Sequence, residues 1–239
     1  MTTLKGPARS AYVRGMFDRI AGRYDLLNRV MTLGQDVRWR RAAVAMLGLH
    51  GGARVLDVGA GTGDLALEAR RQASGARVAA GDFSSGMMAV GRRRPGADRV
   101  AWVACDALRL PFAPRSFDAV VSGFLLRNVG DLDRALREQW RILRPGGRAV
   151  SLDTSPPTRG PWRPLLVFHL HKVIPWLGRL LAGESEAYNY LPQSTTAFLT
   201  PEALAERFRA VGFESVSFVR RMFGTVALHR AVRPEPAAD

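Results

Sequence analysis

The segment Val55-Leu-Asp-Val-Gly-Ala-Gly-Thr-Gly-Asp64 constrains the fold more than any other stretch of the chain. Apolar and β-branched residues run up to Val58, and glycines then alternate with small residues at Gly59, Gly61 and Gly63. That order predicts a buried strand, a tight turn and a helix from Leu65 to about Ser74, with Thr62 and Asp64 offering oxygens to the helix start. Glycine is required where a backbone turns sharply or lies against a ligand, because it has no Cβ to clash. The turn is therefore expected to floor a cofactor pocket of nucleotide type.

From this strand onward, elements alternate. Further strands are expected at residues 77–82, 100–105, 117–122 and 148–152, with helices between them and a turn at Arg144-Pro-Gly-Gly147. Alternation at this spacing gives parallel βαβ units with helices on both faces. Residues 153–200 break the pattern with Pro156, Pro157, Pro161 and Pro164, an apolar segment and a polar stretch through Tyr188 and Tyr190. A helix at 201–210 and two strands at 214–220 and 225–229 follow, most simply as an antiparallel hairpin at the sheet's end. Upstream, residues 10–47 are expected to be helical with one break at Thr32-Leu-Gly34. Met16, Phe17, Ile20, Tyr24 and Leu27 share one face, beside the polar Asp18, Arg23, Asp25 and Asn28. This pattern suits either a packing helix or a lid over a pocket. The expectation is one α/β domain spanning residues 1–239, with a helical lid (1–50) and a substrate-side insertion (153–200).

In open α/β sheets, ligands sit beyond the carboxyl ends of the strands. Asp82 ends the second strand about 20 residues after the glycine turn, where an acid can accept from ribose hydroxyls. Asp106 ends the third and is placed to meet an exocyclic amine. Gly123 ends the fourth and permits close backbone approach. A dinucleotide enzyme would put pyrophosphate at the helix start, where Asp64 would repel it. An amino group and a sulfonium would be accepted there, which points to S-adenosylmethionine rather than NAD. Asp57 either holds the cofactor's amino group or caps the strand end.

Charge admits several partners. The net charge is +14, and of 35 basic residues only Lys5 and Lys172 are lysine. Such a balance suits an anionic membrane surface, nucleic acid, or plain use of Arg for Lys. The arginines are scattered and form no cluster interleaved with aromatic residues, so nucleic acid is not the expected partner. One cysteine, Cys105, excludes an intramolecular disulfide and a cysteine metal cluster, and no metal is expected. His169 and His171 diverge on a helix and lack a third ligand. No apolar run reaches the roughly 18 residues of a span, and no secretory signal is seen. The expected location is the cytoplasm; residues 162–181 suit a mobile lid, a buried cap helix, or a membrane-surface helix that would add peripheral contact with the inner membrane face, and a homodimer fits the sequence.

The chain resembles the class I S-adenosylmethionine-dependent methyltransferases and, more narrowly, the ubiquinone/menaquinone biosynthesis C-methyltransferases (UbiE/MenG type). Carrying the resemblance are Met16-Phe-Asp-Arg-Ile-Ala-Gly-Arg-Tyr-Asp-Leu-Leu-Asn28 with Trp39-Arg40, the glycine loop, Gly81-Asp-Phe-Ser84, Asp106-Ala107 and Leu110-Pro-Phe112. Leu126-Arg-Asn-Val129, Tyr190-Leu-Pro192 and Val226-Ala-Leu-His229 continue it. It implies a Rossmann-like, seven-stranded, mostly parallel sheet and C-methylation of a demethylated prenyl quinol, demethylmenaquinol first. It also implies that Thr62, Asp82, Asp106 and Ala107 contact the cofactor, and we add Tyr24, Asp57, Gly59, Gly61, Gly63, Phe83 and Gly123. Arg127 is the candidate for stabilising a phenolate, with Asn128 fixing its loop; Asp153, His169 and Tyr188 are candidate bases. Three departures bear on the substrate: Gly123 where serine occurs, Leu125 where glycine is usual, and Asp153 in place of glutamate. Competing functions are methylation of another small aromatic or lipid, nucleic-acid binding on a methyltransferase fold, and cofactor binding without turnover.

Overall fold

The computed structural model describes residues 6–157, 160–177 and 186–236. Three helices, α1 (Gly6–Ile20), α2 (Tyr24–Met31) and α3 (Gln35–Leu47), precede the sheet. The expected single break is thus two breaks. The extra one, at Ala21–Arg23, contains Gly22, whose helix propensity is poor, and is closed by a bond from Arg23 N–H to the Ile20 carbonyl at 2.9 Å.

Strands β1 (Arg54–Val58), β2 (Arg77–Asp82), β3 (Val100–Ala104), β4 (Phe117–Gly123) and β5 (Leu143–Thr154) pair in parallel. Helices α4 (Asp64–Gln72), α5 (Ser85–Arg92) and α6 (Leu132–Ile142) connect them. The seven-stranded order is β3-β2-β1-β4-β5-β7-β6. Of the last two strands, β6 (Glu214–Arg221) takes the edge, and β7 (Val226–Val232) is inserted beside β5, antiparallel to both neighbours. Interior strands of such a sheet are covered on both faces. Accordingly Val55, Leu56 and Val58 of β1 and Val120 and Val121 of β4 are all buried. Strand order reverses between β1 and β4, which opens a crevice at their carboxyl ends.

Strand β5 begins earlier than expected. Arg144–Gly147, predicted as a turn, is drawn into the strand because Gly146 N–H bonds Arg233 O and Arg233 N–H bonds Gly147 O, at 2.9 and 2.8 Å. After β5, the insertion forms α7 (Arg163–Phe168), a π-helical turn His169–Val173 and α8 (Glu186–Ala197), ahead of α9 (Pro201–Val211). Thr200 caps α9 through its hydroxyl, and Gly212 ends it with φ 102°. The apolar face of α1 and α2 packs on this insertion rather than on the sheet: Met16, Ile20, Leu27 and Met31 cluster with Ile174 and partly buried Leu170 and Leu191.

Ser84 ties these helices to the sheet. Its hydroxyl accepts from Met87 N–H at 3.1 Å, capping α5, and donates to Asp18 Oδ1 of α1 at 2.6 Å. Loss of a cap and a buried hydrogen bond costs about 1–2 kcal/mol. Ser84→Ala should lower the unfolding free energy by that amount, read as a lower urea midpoint with an unchanged m-value.

Candidate cofactor and substrate site

The glycine turn is built as a backbone-lined floor. Gly59, Gly61 and Gly63 have φ of 68°, 57° and 83°, in the left-handed region that favours glycine. A Cβ on Gly59 would stand 2.7 Å from Leu125 Cδ1, and one on Gly63 2.5 Å from the Trp102 ring. Asp82 pins the loop: its Oδ2 accepts from Gly61 N–H and its Oδ1 from Ser84 N–H, both at 2.7 Å. Burial raises the Asp82 pKa, against the opposing pull of these backbone donors.

Above this floor lies a cavity with about 710 Å³ of atom-free space, the part open to solvent included. Tyr24 and Phe17 of the N-terminal helices cover it, their rings edge to face at 5.8 Å. Asp82 and Phe83 enter from β2, Asp106 and Ala107 from the end of β3, and Gly123 and Asn128 from beyond β4. The set fits a nucleoside. With Gly61, Phe83 and Ser84 N–H groups upon it, the Asp82 carboxylate keeps one lone-pair site for a ribose hydroxyl. Asp106 stands exposed at the mouth with Oδ1 accepting from Leu108 N–H at 2.8 Å, and aromatic walls suit a base. No Arg, Lys or His is among the described residues lining the cavity. A pyrophosphate would find no cation here, whereas a cationic cofactor enters a cavity whose only charged lining groups among the described residues are acidic.

Three expected cofactor contacts do not line this cavity. Thr62 is buried and its hydroxyl donates to Asp25 Oδ1 at 2.7 Å, which fastens α2 to the loop. Gly63 is the left-handed N-cap residue of α4; neither Thr62 nor Asp64 caps that helix through its side chain. Asp57 is fully buried behind the turn, where Oδ2 accepts from Ala66 N–H at 2.9 Å and Oδ1 has no partner. Asp64 corrects the charge argument. Its carboxylate faces Arg94 at 2.6 Å and Arg40 at 3.2 Å. Burial would raise its pKa, but Arg40 and Arg94 outweigh burial and lower it. Asp64 is neutralised away from the cavity, and the preference for S-adenosylmethionine rests on the acidic, cation-free lining instead.

A second cavity adjoins the first, with about 720 Å³ of atom-free space, walled by Trp39, Met31, Leu191 and Val226. Phe124 lines both cavities. It has φ 57°, its N–H donates to Leu152 O at 2.7 Å, and its ring lies under Arg40 and Arg127 at 5.6 and 5.2 Å. Asn128 Nδ2 donates to Phe124 O at 2.8 Å and so holds this divider. Arg127 lines the second cavity and pairs with Asp153 at 2.5 Å, both side chains buried. Asp153 also accepts from Arg127 N–H and Thr154 N–H, at 3.2 and 2.8 Å. With three donors upon it, that carboxylate is a positioning group rather than a free base. Tyr188 sits in α8, but its side chain lies outside the described residues. Phe124 carried no sequence signal for its role, and Arg40 stood out only as part of Trp39-Arg40; their value comes from which chain segments meet.

Solved structures place the scaffold. Haemonchus contortus phosphoethanolamine N-methyltransferase 2, solved with S-adenosylhomocysteine, aligns with a TM-score of 0.63 at 19% identity over 82% of this chain and 52% of its own. The cyclase SpnF aligns at 0.69 and 20% identity over 93% and 95%. At such identities the likeness is one of fold. Fold, cavity and sequence relatives together define an S-adenosylmethionine-dependent methyltransferase. More narrowly, the profile of the ubiE/COQ5 methyltransferase family matches residues 5–233, and the chain belongs to that family. The ubiquinone/menaquinone biosynthesis C-methyltransferase UbiE of Desulfotalea psychrophila is 46% identical over 229 residues, 96% of this chain and 92% of its own. The demethylmenaquinone methyltransferase of Thermus thermophilus is 44% identical over 221 residues, 92% and 100% respectively.

Burial pushes Asp57 from an ordinary 3.8 up to about 8. The folded state then binds this proton more tightly than the unfolded state, so stability is present below the ordinary value and is lost as pH rises toward 8. Asp57→Asn removes that dependence. Urea unfolding between about pH 5 and pH 9 should show the variant gaining on the wild type as pH rises; a constant gap would mean that Asp57 titrates normally.

Proposed function

We propose that this enzyme methylates the free ring carbon of a demethylated prenyl quinol, demethylmenaquinol before a benzoquinol. The observation that carries this is the second cavity, whose lining is largely apolar beside Phe124 and includes Arg127 and Asn28 as donors. The relatives named as demethylmenaquinone methyltransferases support the same substrate class. Asp82, Phe83, Asp106, Ala107 and the backbone at Gly59 and Gly61 hold the cofactor, with Tyr24 over it and Gly123 leaving room. Bound there, S-adenosylmethionine supplies an electrophilic methyl on its sulfonium. The chain's own task is to align donor and acceptor and to stabilise charge on the quinol oxygen. Arg127, oriented by Asp153 and stacked on Phe124, supplies a fixed positive charge, and Asn128 keeps Phe124 in place between the cavities.

The prenyl tail implies a lipid surface. Trp162, Leu165, Phe168, Trp176 and Phe223 are each at least 58% exposed, and the Trp162 and Phe223 rings lie 6.1 Å apart. Arg163 and Lys172 are exposed on the same insertion, whose Leu166 and Leu170 line the second cavity. Aromatic residues flanked by cations suit the interface of an anionic bilayer. No helix among the described residues is long and apolar enough to cross a membrane. Peripheral docking at the cytoplasmic face would let a quinol enter without leaving the bilayer.

Labelled S-adenosylmethionine should transfer its methyl group to demethylmenaquinol faster than to a demethylated benzoquinol. If neither accepts label while the cofactor binds, the substrate class is wrong. Asp82→Asn should weaken cofactor binding about 10- to 100-fold by calorimetry, the cost of a charged hydrogen bond. Trp162→Ser combined with Phe223→Ser should cut sedimentation with anionic vesicles by about tenfold or more, given ~1.5–3 kcal/mol per buried side chain.

A further inference from the structure

Three polar nitrogens of residues lining the second cavity are buried and lack a partner in full hydrogen-bond geometry: Asn28 Nδ2, whose amide faces the Tyr24 hydroxyl, Arg127 Nε and His169 Nε2. Leaving such groups unsatisfied costs about 1–3 kcal/mol each, and all three belong to residues that line one cavity, which makes it a place for ligand oxygen. Two of them, the amide and the guanidinium nitrogens, can only donate. The imidazole alone can also accept a proton.

The other candidates are accounted for. Asp153 carries three N–H donors. Thr154 and Thr195 hydroxyls bond each other at 2.9 Å. Among the described residues lining this cavity there is no Asp, Glu, Lys, Tyr or Cys. His169 also opens the π-helical turn His169–Val173, a helix irregularity that is frequent at functional sites. Ile174, just after that turn, packs in the core of α1 and α2, which anchors the segment. His171, two residues on, lies exposed near Thr196 and does not line the cavity.

We propose that His169 is the general base of the methyl transfer, accepting the proton of the quinol hydroxyl adjacent to the methylated carbon. This inference rests on the quinol assignment above. The hydroxyl O–H bond breaks and its proton passes to Nε2. The oxygen's electron density reaches the neighbouring ring carbon, which forms the new carbon–carbon bond as the methyl–sulfur bond breaks, its electron pair leaving on sulfur. The ring carbon then releases its own proton to water, restoring the aromatic ring. Arg127 Nε–H and Asn28 Nδ2–H donate to the oxyanion while it exists.

Positioned bases contribute about 10²–10⁴-fold. His169→Gln should therefore lower kcat at least about 100-fold, while equilibrium binding of a short-chain demethylnaphthoquinol changes by less than about threefold. His169→Gly should recover about tenfold or more of its lost rate in added imidazole, a rescue that a packing role would not show. A quinol acidified by ring halogenation should narrow the gap between wild type and His169→Gln. A variant that keeps more than half of wild-type kcat overturns the proposal. So does a rate loss with neither imidazole rescue nor sensitivity to quinol acidity, or a loss matched by weakened quinol binding. Failure of the wild type itself on every quinol overturns the substrate assignment instead, and with it this role.

Discussion

Arg40 is the cation on which both halves of the site depend. It is 7% exposed, pairs with Asp36 and Asp64, and lies over the Phe124 ring. A buried guanidinium is costly unless its charge and donors are satisfied. Burial would lower its pKa, yet Asp64, Tyr24 and Asp36 outweigh burial and hold it above its ordinary value. Through Asp64 it meets Arg94, which reaches Asp25, whose carboxylate takes the Thr62 hydroxyl. One continuous chain of charges thus joins α2, α3, the glycine turn and the segment after α5. Removing any single member would strand a partner in a poorly solvated place, so the N-terminal helices are held to the sheet by more than apolar contact.

That attachment sets the division between two cavities. The cofactor side is acidic and cation-free in its described lining, with a floor of glycine backbone held by Asp82. The second cavity is largely apolar with Asn28 and Arg127 among its lining, and the Arg127–Asp153 pair is buried beside it. Phe124 separates them between two guanidinium groups, and Asn128 fastens its carbonyl. Methyl transfer needs donor and acceptor side by side with little freedom. Phe124, held in a left-handed backbone conformation, lines both cavities and so borders the place where they meet.

Particular elements show what could be read from residues alone. The strands β1 to β4 fall within about a residue of expectation, because interior parallel strands are short apolar runs bounded by turn residues. That Asp82, Asp106 and Gly123 would line one cavity was legible, because in such sheets the crevice opens beyond the strand ends. The roles of Thr62 and Asp64 were misjudged. Both stand beside the cofactor loop in sequence, but their partners, Asp25, Arg40 and Arg94, come from segments that sequence spacing does not bring together. The start of β5 was missed for a related reason, since Gly146 and Gly147 become strand only by pairing with Arg233.

The sequence by itself determined the interior strands and the glycine floor, since these follow from local periodicity and from backbone conformations open only to glycine, while the cofactor class came from the family resemblance. Only the tertiary structure decided which polar groups are spent and which are free. Asp153, an apparent base, is consumed by Arg127. Asp64, an apparent cofactor contact, is neutralised by two arginines. His169, one of two neighbouring histidines, is left with an unpartnered nitrogen in a cavity. A side chain's chemistry depends on its partners, and these come from distant parts of the chain.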